Sequence, residues 1–437
     1  MPNEKEDNRA KPSEVSRDLR KRVSIDVPWK RWFGDEKMQL TFPSGWNVKK
    51  IEMSDAETIS DEEIRRCIAI PRASPSLRDL ARGKKRPAIV IDDLNRPTET
   101  HRILPVLLDE LEDAGIRTEE IDVLVSLGAH RPMSRSELVK KIGEKMVDTL
   151  KVYNHSPYEN LTLVGKTSFG TPLHLNRTLV EADLKIIVGS VIPHPYAGFG
   201  GGAKLVLPGL AGMDTIELNH KPAYASMSGT IGRVEGNQRR AEIEEAAEMV
   251  GIDFAVNSIC NSEGRTAGIF AGGLAESYRE AVRYAQKVYA TEVPYNLDVA
   301  VFNAFPKDEG VIQSFNSLNV WSSRSGDRQI VKQGGTVVIA SSCPEGVGYH
   351  GLTDKGMRLY VRRDKHGSFK DIINGRRIIF FSPNLIPRDI HDFLPETTLL
   401  CRQWREVEEE LKRTARQDAS AGVFPCGPLQ IDRNILT

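Results

Sequence analysis

The chain has 437 residues, with 60 Lys and Arg against 60 Asp and Glu, so its formal net charge is zero. This length allows two or three domains with buried cores. The charge balance excludes the broad basic field of a nucleic-acid-binding protein, and the absence of a long apolar run excludes a membrane-spanning helix. The first 25 residues are mostly polar and charged, which predicts a disordered segment and not a signal peptide.

Cysteine usage points to the compartment. The five cysteines are scattered without a CxxC pair: Cys67, Cys260, Cys343, Cys401 and Cys426. This spacing predicts neither a disulfide framework nor a zinc site. We therefore expect a cytoplasmic protein in a reducing environment.

The first half of the chain alternates strands and helices. Short alternating stretches between residues 23 and 60 predict strands joined by turns. Apolar runs and helical spacing then predict, in order, strand Pro87–Ile91, helix Arg102–Glu112, strand Ile121–Leu127, helix Ser134–Ile142 and strand Leu184–Val188. This order is typical of a parallel sheet covered by helices.

The pattern restarts near residues 290–297. The second half predicts strand Leu297–Phe302, a helical stretch near 309–322, strands Thr336–Ala340, Arg377–Phe381 and Thr398–Cys401, and helix Trp404–Thr414. We predict an α/β fold of two domains with mainly parallel sheets flanked by helices. Residues 26–290 would bind a cofactor, residues 291–437 would form the second domain, and the last residues would return to the first. The active site is expected in the cleft between them.

Polar residues follow several predicted strands directly. These loops are Asp92–Thr98, Gly128–Pro132, the segment from His194 to Lys204, and Asn303–Pro306. Ligands of parallel α/β sheets bind at the carboxyl ends of the strands. Each loop alone could be an ordinary turn, because Asp, Asn and Pro form turns readily. Four strand ends that carry an arginine, two histidines and a lysine favour a shared cleft.

The glycine-rich loop Gly198–Lys204 has the length of a phosphate-binding loop. However, Ala203 precedes the lysine and Leu205 replaces the Ser or Thr that would hold magnesium, which argues against an NTPase. The spacing fits a dinucleotide fingerprint only loosely, and a mononucleotide-like cofactor stays open. A lysine in such a loop can neutralise a phosphate or act as a nucleophile.

Three histidines lie beside Gly, Pro or Asn turns after apolar segments: His130, His194 and His220. Two imidazoles could serve as a paired acid and base, and the third could bind a borderline metal.

Together these motifs resemble one family. The motifs are Asp93-x-x-Arg96-Pro97, Gly128-x-His130-Arg131-Pro132, His194-x-x-Ala197-Gly198-Phe199-x-Gly201-Gly202-x-Lys204, Asn219-His220 and Pro306-x-Asp308-x-x-x-x-Gln313. Their order and spacing are similar to those of the lactate racemase family, the nickel-pincer nucleotide enzymes. The resemblance extends from about residue 30 to the C-terminus.

The resemblance implies an isomerase, a racemase or epimerase of a 2-hydroxy acid. Reversible hydride transfer to a nickel-pincer nucleotide (pyridinium-3,5-bisthiocarboxylic acid mononucleotide nickel) would proceed through a 2-keto acid. Enzymes of cofactor synthesis become expected partners. By match to the family motifs, Lys204 tethers the cofactor, His220 binds nickel, His130 and His194 transfer protons, and Arg96 and Gln313 hold the substrate. The resemblance also implies four cofactor-binding residues: Asp93, Gly200, Gly201 and Gly202.

Several positions depart from the family pattern. Asn316 replaces the usual lysine and Ile312 the usual tyrosine at the substrate pocket, while Asn95 replaces a threonine and Gly200 a serine. Asparagine offers a donor and an acceptor but no charge. We therefore expect Ile312 and Asn316 to select a substrate other than lactate, such as a larger or polyhydroxylated 2-hydroxy acid.

Two other functions stay open from the sequence: a nicotinamide-type oxidoreductase with a free cofactor, and a non-catalytic sensor of small ligands. The loop after Thr336–Ala340 adds Tyr349 and His350 as residues that could face the cleft. Trp321 and Cys343 are predicted to be buried core residues.

Overall fold

The computed structural model describes residues 23–220, 231–323, 326–365 and 367–436. Most of the segment predicted to be disordered lies outside these described residues.

The strands are β1 (Val23–Trp29), β2 (Glu36–Phe42), β3 (Asn47–Lys50), β4 (Pro87–Asp92), β5 (Asp122–Ser126), β6 (Lys151–Asn154), β7 (Leu161–Lys166), β8 (Pro172–Asn176), β9 (Leu184–Ser190), β10 (Pro193–His194), β11 (Gly198–Phe199), β12 (Phe254–Cys260), β13 (Thr266–Gly272), β14 (Ala290–Thr291), β15 (Leu297–Asn303), β16 (Val331–Ala340), β17 (Arg377–Phe381), β18 (Leu399–Cys401), β19 (Ser420–Phe424) and β20 (Ile431–Asp432).

The α-helices are α1 (Asp61–Ala69), α2 (Leu77–Ala81), α3 (Thr100–Asp113), α4 (Arg135–Ile142), α5 (Glu144–Thr149), α6 (Arg177–Glu181), α7 (Met213–Asn219), α8 (Gln238–Val250), α9 (Leu274–Val288), α10 (Val311–Ser314), α11 (Asn319–Ser322), α12 (Gly367–Ile373), α13 (Pro387–His391) and α14 (Trp404–Thr414). In the described part of the chain, none of them is both long and apolar enough to cross a membrane.

Two six-stranded sheets organise the molecule. The first has the order β13-β12-β9-β4-β5-β6 and the second the order β18-β17-β16-β15-β19-β3. Only the edge strand β13 pairs antiparallel, with β12; the other neighbours within both sheets pair parallel. The predicted α/β fold with mainly parallel sheets is confirmed.

The first sheet forms because its central strands are apolar on both faces. Every residue of β4 is buried, and β9 is almost as fully covered. Strands of this kind need helices on both sides. On one side α3 supplies Ile103, Leu107 and Leu111, which recur at helical spacing and pack in the same core cluster as the strands.

The second sheet takes strands from both ends of the chain. The hairpin β1–β2 covers one of its faces, where the Trp29 ring stacks on Phe381 at 5.6 Å between centroids. Strand β3 extends the sheet by pairing with β19. At the other terminus, β20 pairs with β14, and Ile431 lies in a core cluster with Phe199 of the first half. The boundaries at residues 26–290 and 291–437 stay a prediction.

Candidate active site

One cavity collects the polar loops that follow strands β4, β5 and β9. Parallel neighbours bring their carboxyl ends to the same edge of a sheet, so these loops meet although they are far apart in sequence. The lining includes Asp93, Arg96, His130, His194, Gly201, Lys204, His220 and His350. Most of the residues predicted from the family motifs therefore share one site.

His130 is oriented by Asp93. The ring Nδ1 lies 2.6 Å from Asp93 Oδ2, and the Asn95 amide donates to the same oxygen at 2.8 Å. Burial alone would raise the pKa of Asp93, but His130 and Arg96 outweigh it and hold that pKa far below its usual range. An ionised Asp93 accepts the Nδ1 proton of His130. Because the neutral ring carries only that proton, Nε2 is left as a base.

A buried lysine fixes the loop that carries Asp93 and Arg96. Lys141 is fully buried, pairs with Asp92 at 2.7 Å and donates to the carbonyl oxygens of Asp93 and Arg96 at 2.9 and 3.1 Å. The sequence analysis missed Lys141. Its signal was a lysine between Leu138 and Ile142 on the buried face of helix α4.

In His194 the roles of the two ring nitrogens are reversed, which we call the opposite ring polarity: Nδ1 accepts and Nε2 carries the proton. Its Nδ1 accepts hydrogen bonds from the backbone N–H groups of Tyr196 and Ala197 at 3.1 and 3.2 Å. Burial, followed by the charges of Lys204, Lys307 and Arg96, lowers the pKa of His194 well below its ordinary value. The neutral ring must then carry its proton on Nε2. His130 thus offers an acceptor and His194 a donor.

The glycine loop makes room for Lys204. Gly201 has φ of +72°, and a Cβ placed there would lie 2.8 Å from the carbonyl oxygen of Ser190. Only glycine adopts this path without strain. Burial and the charges of Arg96 and Arg240 lower the pKa of Lys204 well below its ordinary value. A neutral amine of this kind is a nucleophile.

His220 follows helix α7 and also lines the cavity. Its Nδ1 donates to the carbonyl oxygen of Ile216 at 2.8 Å, which leaves the Nε2 lone pair for a ligand. Burial and the Lys204 charge lower the pKa of His220 to about 3, so the ring is neutral at physiological pH. In the described residues, no three His, Cys, Asp or Glu side chains converge as a metal site. A metal held by His220 would need ligands from another molecule.

Lys307 is a site residue that the sequence analysis missed. It lies one residue beyond the loop Asn303–Pro306 and is only 1% exposed. Burial and Arg96 lower its pKa well below the ordinary value. Its Nζ lies 3.4 Å from Asn316 Oδ1, and no ion pair joins it to a carboxylate within the described residues. An anion that binds beside such a buried amine favours its charged form and would supply the missing counterion.

The predicted substrate residues of the second half lie around Lys307 and not on the cavity wall. The Asn316 amide donates to the backbone oxygen and to Oε1 of Gln313, at 2.8 and 3.3 Å. Ile312 is buried in the core of the second sheet. Their roles in substrate choice stay predictions.

Other predicted cofactor contacts differ in position. Gly200 and Gly202 do not line the cavity, although both flank Gly201 and are buried. Asp93 lines it and contacts His130, which makes it a positioning residue in this structure.

The loop after β15 carries two further acids, Asp308 and Glu309. Glu309 is buried, and neither carboxyl oxygen has a hydrogen-bond partner in the described part of the chain. Burial and the neighbouring Asp308 raise the pKa of Glu309 well above its ordinary value, so the group keeps its proton. Burial also raises the pKa of Asp308, to about 6.

The structure also places the four other residues singled out in the sequence. His350 lines the cavity, whereas Tyr349 is 42% exposed and is not part of the wall. Trp321 and Cys343 are fully buried, which confirms both as core residues.

The cavity is strongly cationic although the whole chain is neutral. Arg96, Arg240, Lys307 and Arg239 all act on the Lys204 amine and depress its pKa. Arg239 stacks over the Tyr196 ring at 4.7 Å. Such a local excess of positive charge favours anionic ligands.

Comparison with known proteins gives a consistent result. Residues 33–232 match the family model described as the lactate racemase N-terminal domain. The lactate racemase of Thermoanaerobacterium thermosaccharolyticum is 28% identical over 339 residues, which cover 76% of this chain and 74% of that protein. The lactate racemase of Lactiplantibacillus plantarum is 27% identical over 344 residues, which cover 76% and 78% of the two chains.

Solved structures share the fold. The lactate racemase apoprotein of Thermoanaerobacterium thermosaccharolyticum superposes with a TM-score of 0.74 at 22% identity, covering 94% of this chain and 99% of that one. A protein from Thermotoga maritima gives a TM-score of 0.64 at 18% identity, covering 86% and 99%. Residues 33–232 therefore form a lactate racemase N-terminal domain, and the chain resembles lactate racemases, which are isomerases, in sequence and in fold.

Proposed function

We propose that this protein is a racemase or epimerase of a 2-hydroxy acid other than lactate, and that it uses a nickel-pincer nucleotide attached at Lys204. The observation that carries the proposal is the pair of histidines of opposite ring polarity in one cationic cavity. Inverting a carbon that bears a hydroxyl requires one group that accepts its proton and another that supplies one.

Arg96 and Lys307 bind the substrate. Arg96 lines the cavity, and the buried Lys307 amine lies in its electrostatic field. Arg96 attracts the substrate carboxylate, and the bound carboxylate favours the charged form of Lys307. Since Asn316 holds Lys307 in place, its change from the family's lysine alters how the carboxylate is bound. The replacement of that lysine by Asn316 supports a substrate other than lactate.

His130 and His194 transfer the protons. His130 Nε2 accepts the hydroxyl proton of one enantiomer, and the ionised Asp93 stabilises the resulting imidazolium. His194 presents its Nε2 proton to the substrate oxygen. For His194 to act as the base on the other enantiomer, its proton must move to Nδ1, and the N–H groups of Tyr196 and Ala197 must release that atom.

The residues present fit the implied cofactor. Lys204 is a neutral buried amine able to form an amide-type bond, and His220 keeps one free imidazole lone pair for nickel. Gly201 lets the loop pack against the carbonyl oxygen of Ser190, which helps to place Lys204 at the cavity. When bound, the cofactor would accept and return a hydride, which avoids a carbanion of high energy.

The same proposal includes the compartment, the ligand and the partners of the enzyme. It would act in the cytoplasm on a small-molecule acid and would depend on the enzymes that build the cofactor. A nicotinamide-type oxidoreductase remains the rival among enzymes, and it would not need a covalent bond at Lys204.

The test is the intact mass and nickel content of protein co-expressed with cofactor-synthesis enzymes. We expect a mass increment and about one nickel per chain in the wild type, because His220 is the only proposed protein ligand. Both should be lost in Lys204→Ala. The matched variant Lys204→Arg keeps a long nitrogen-bearing side chain but has no amine to acylate, so it should also lack the increment.

An unmodified, nickel-free wild-type protein would overturn the cofactor assignment. A mass increment retained in Lys204→Ala would move the attachment elsewhere. Chiral analysis of a panel of hydroxy acids completes the test: lactate racemised faster than every other acid would reject the proposed substrate class.

A further inference from the structure

His350 brings a third imidazole to the cavity from the second half of the chain. It lines the same wall as His130, and the two rings meet edge to face with centroids 5.4 Å apart. The mechanism proposed above gives His350 no task.

The position of His350 is fixed from both sides. The Gly351 N–H donates to the carbonyl oxygen of Ala129 at 2.7 Å, next to His130 in the chain. Two residues after His350, Leu352 is fully buried in the core cluster that contains Ala129. On the other side, Glu345 pairs with Arg131, whose Nε lies 3.1 Å from Glu345 Oε2. The histidine is therefore held on the reacting side of the site.

The ring has a defined proton position. The Leu352 N–H donates to His350 Nδ1 at 3.3 Å, so a neutral ring carries its proton on Nε2. Burial and the facing His130 keep the ring neutral, because they lower the pKa of His350 well below its ordinary value. No described residue accepts a hydrogen bond from Nε2. Because His350 lines the cavity, this N–H is available to a ligand oxygen.

The four substituents of C2 indicate which ligand oxygen this is. In the proposed function the hydrogen on C2 is transferred, His130 takes the hydroxyl proton, and Arg96, which lines the cavity, attracts the carboxylate. The remaining substituent is C3. His350 lines the same wall edge to face with His130, so the oxygen assigned to it is one bonded to C3.

We propose that His350 Nε2–H donates a hydrogen bond to an oxygen on C3 of the substrate, so that this enzyme acts on 2,3-dihydroxy acids. The assignment rests on the proposed function and names its substrate class. It makes His350 a specificity-determining residue that touches the substrate next to the proton-transfer histidine.

Lactate and glycerate provide the test, since glycerate adds only the C3 hydroxyl. In the nickel-loaded wild type we expect kcat/KM for glycerate to exceed that for lactate by about tenfold, the value of one hydrogen bond. His350→Leu should bring the ratio close to one, mainly by raising KM for glycerate. His350→Gln keeps an N–H donor and should preserve most of the preference.

Calorimetric binding of the two acids separates this assignment from the proposed function. Racemisation of both acids with the same ratio in all three proteins would overturn the role of His350 and leave the proposed function intact. A His350-dependent preference in binding without racemisation would keep the C3 site and reject the proposed reaction. Failure of the wild type to bind either acid would overturn both. If His350→Leu does not fold, His350→Asn replaces it, because its shorter amide cannot reach the same position.

Discussion

The two six-stranded sheets resemble each other in size and pairing, but their strand ends contribute different groups to the cavity. The first sheet supplies His130, His194 and Lys204, which are proposed to react, together with Asp93 and Arg96, which are proposed to orient His130 and bind the carboxylate. The second sheet supplies Lys307 and His350, nitrogen donors without a proposed chemical step of their own. In this proposal the reacting groups all come from the first sheet, whereas the second sheet contributes only to substrate binding.

Removal of the histidines of the first sheet should have the largest effect. His130→Ala and His194→Ala should each lower kcat by about 10²–10⁴-fold, the usual contribution of a positioned acid or base. Chiral chromatography of the product measures the rate in each direction. Nickel content serves as the control, because neither residue is the proposed metal ligand.

The same two variants also test whether the two histidines rest with different ring nitrogens protonated. Since His130 rests as a base and His194 as a donor, His130→Ala should slow one direction more than the other under single-turnover conditions. Equal rates in both variants and both directions, close to those of the wild type, would disprove the two-base assignment.

Changes at the second sheet should act mainly on binding. Lys307→Met removes an amine whose charged form the bound carboxylate favours, and it should raise KM about 10–100-fold, as expected from the loss of a charged hydrogen bond worth about 1.5–3 kcal/mol. Lys307→Arg supplies a charged donor and should restore much of the affinity. The methyl ester of the same acid is the ligand control, because it has no carboxylate charge.

A KM that is unchanged for the acid in Lys307→Met would show that Arg96 alone binds the carboxylate. An equal loss for acid and ester would point to a structural role of Lys307 and not to recognition of charge.

The smallest effect concerns stability at the base of the second sheet. The pKa of Glu309 is raised from 4.5, so its proton is retained in the folded chain and lost in the unfolded chain as pH rises. Stability therefore falls by about 1.4 kcal/mol per pH unit above 4.5, until the folded pKa is reached. Glu309→Gln removes this cost. Its melting temperature should equal that of the wild type near pH 4 and exceed it at pH 8.

Glu345→Gln is the matched comparison, because it removes the ion pair with Arg131 and should lower the melting temperature at pH 8. A difference between Glu309→Gln and wild type that does not change with pH would mean that Glu309 is not the group that titrates.

The sequence by itself determined the fold class and the identity of most cavity groups. Apolar runs such as Pro87–Ile91 cannot be exposed on either face, so they require a parallel sheet under helices. His130 and His194 follow such runs within a few residues, and the carboxyl edge of a sheet gathers residues in that position. Local pattern was sufficient because each side chain is placed by the strand that precedes it.

Only the tertiary structure decided which ring nitrogen of each histidine carries the proton and which residues of the second sheet lie opposite these groups. Lys141 lies on the buried face of its helix, but only the folded chain shows that it donates to the carbonyl oxygen of Asp93 and fixes that loop. Which nitrogen of His130 or His194 bears the proton depends on Asp93 and on two backbone N–H groups, which no spacing in the sequence reveals. Lys307 and His350 reach the site only because the second sheet docks its loops against Ala129 and Arg131. Contacts between residues distant in the chain are set by packing of whole elements, and that packing is the part that sequence patterns do not encode locally.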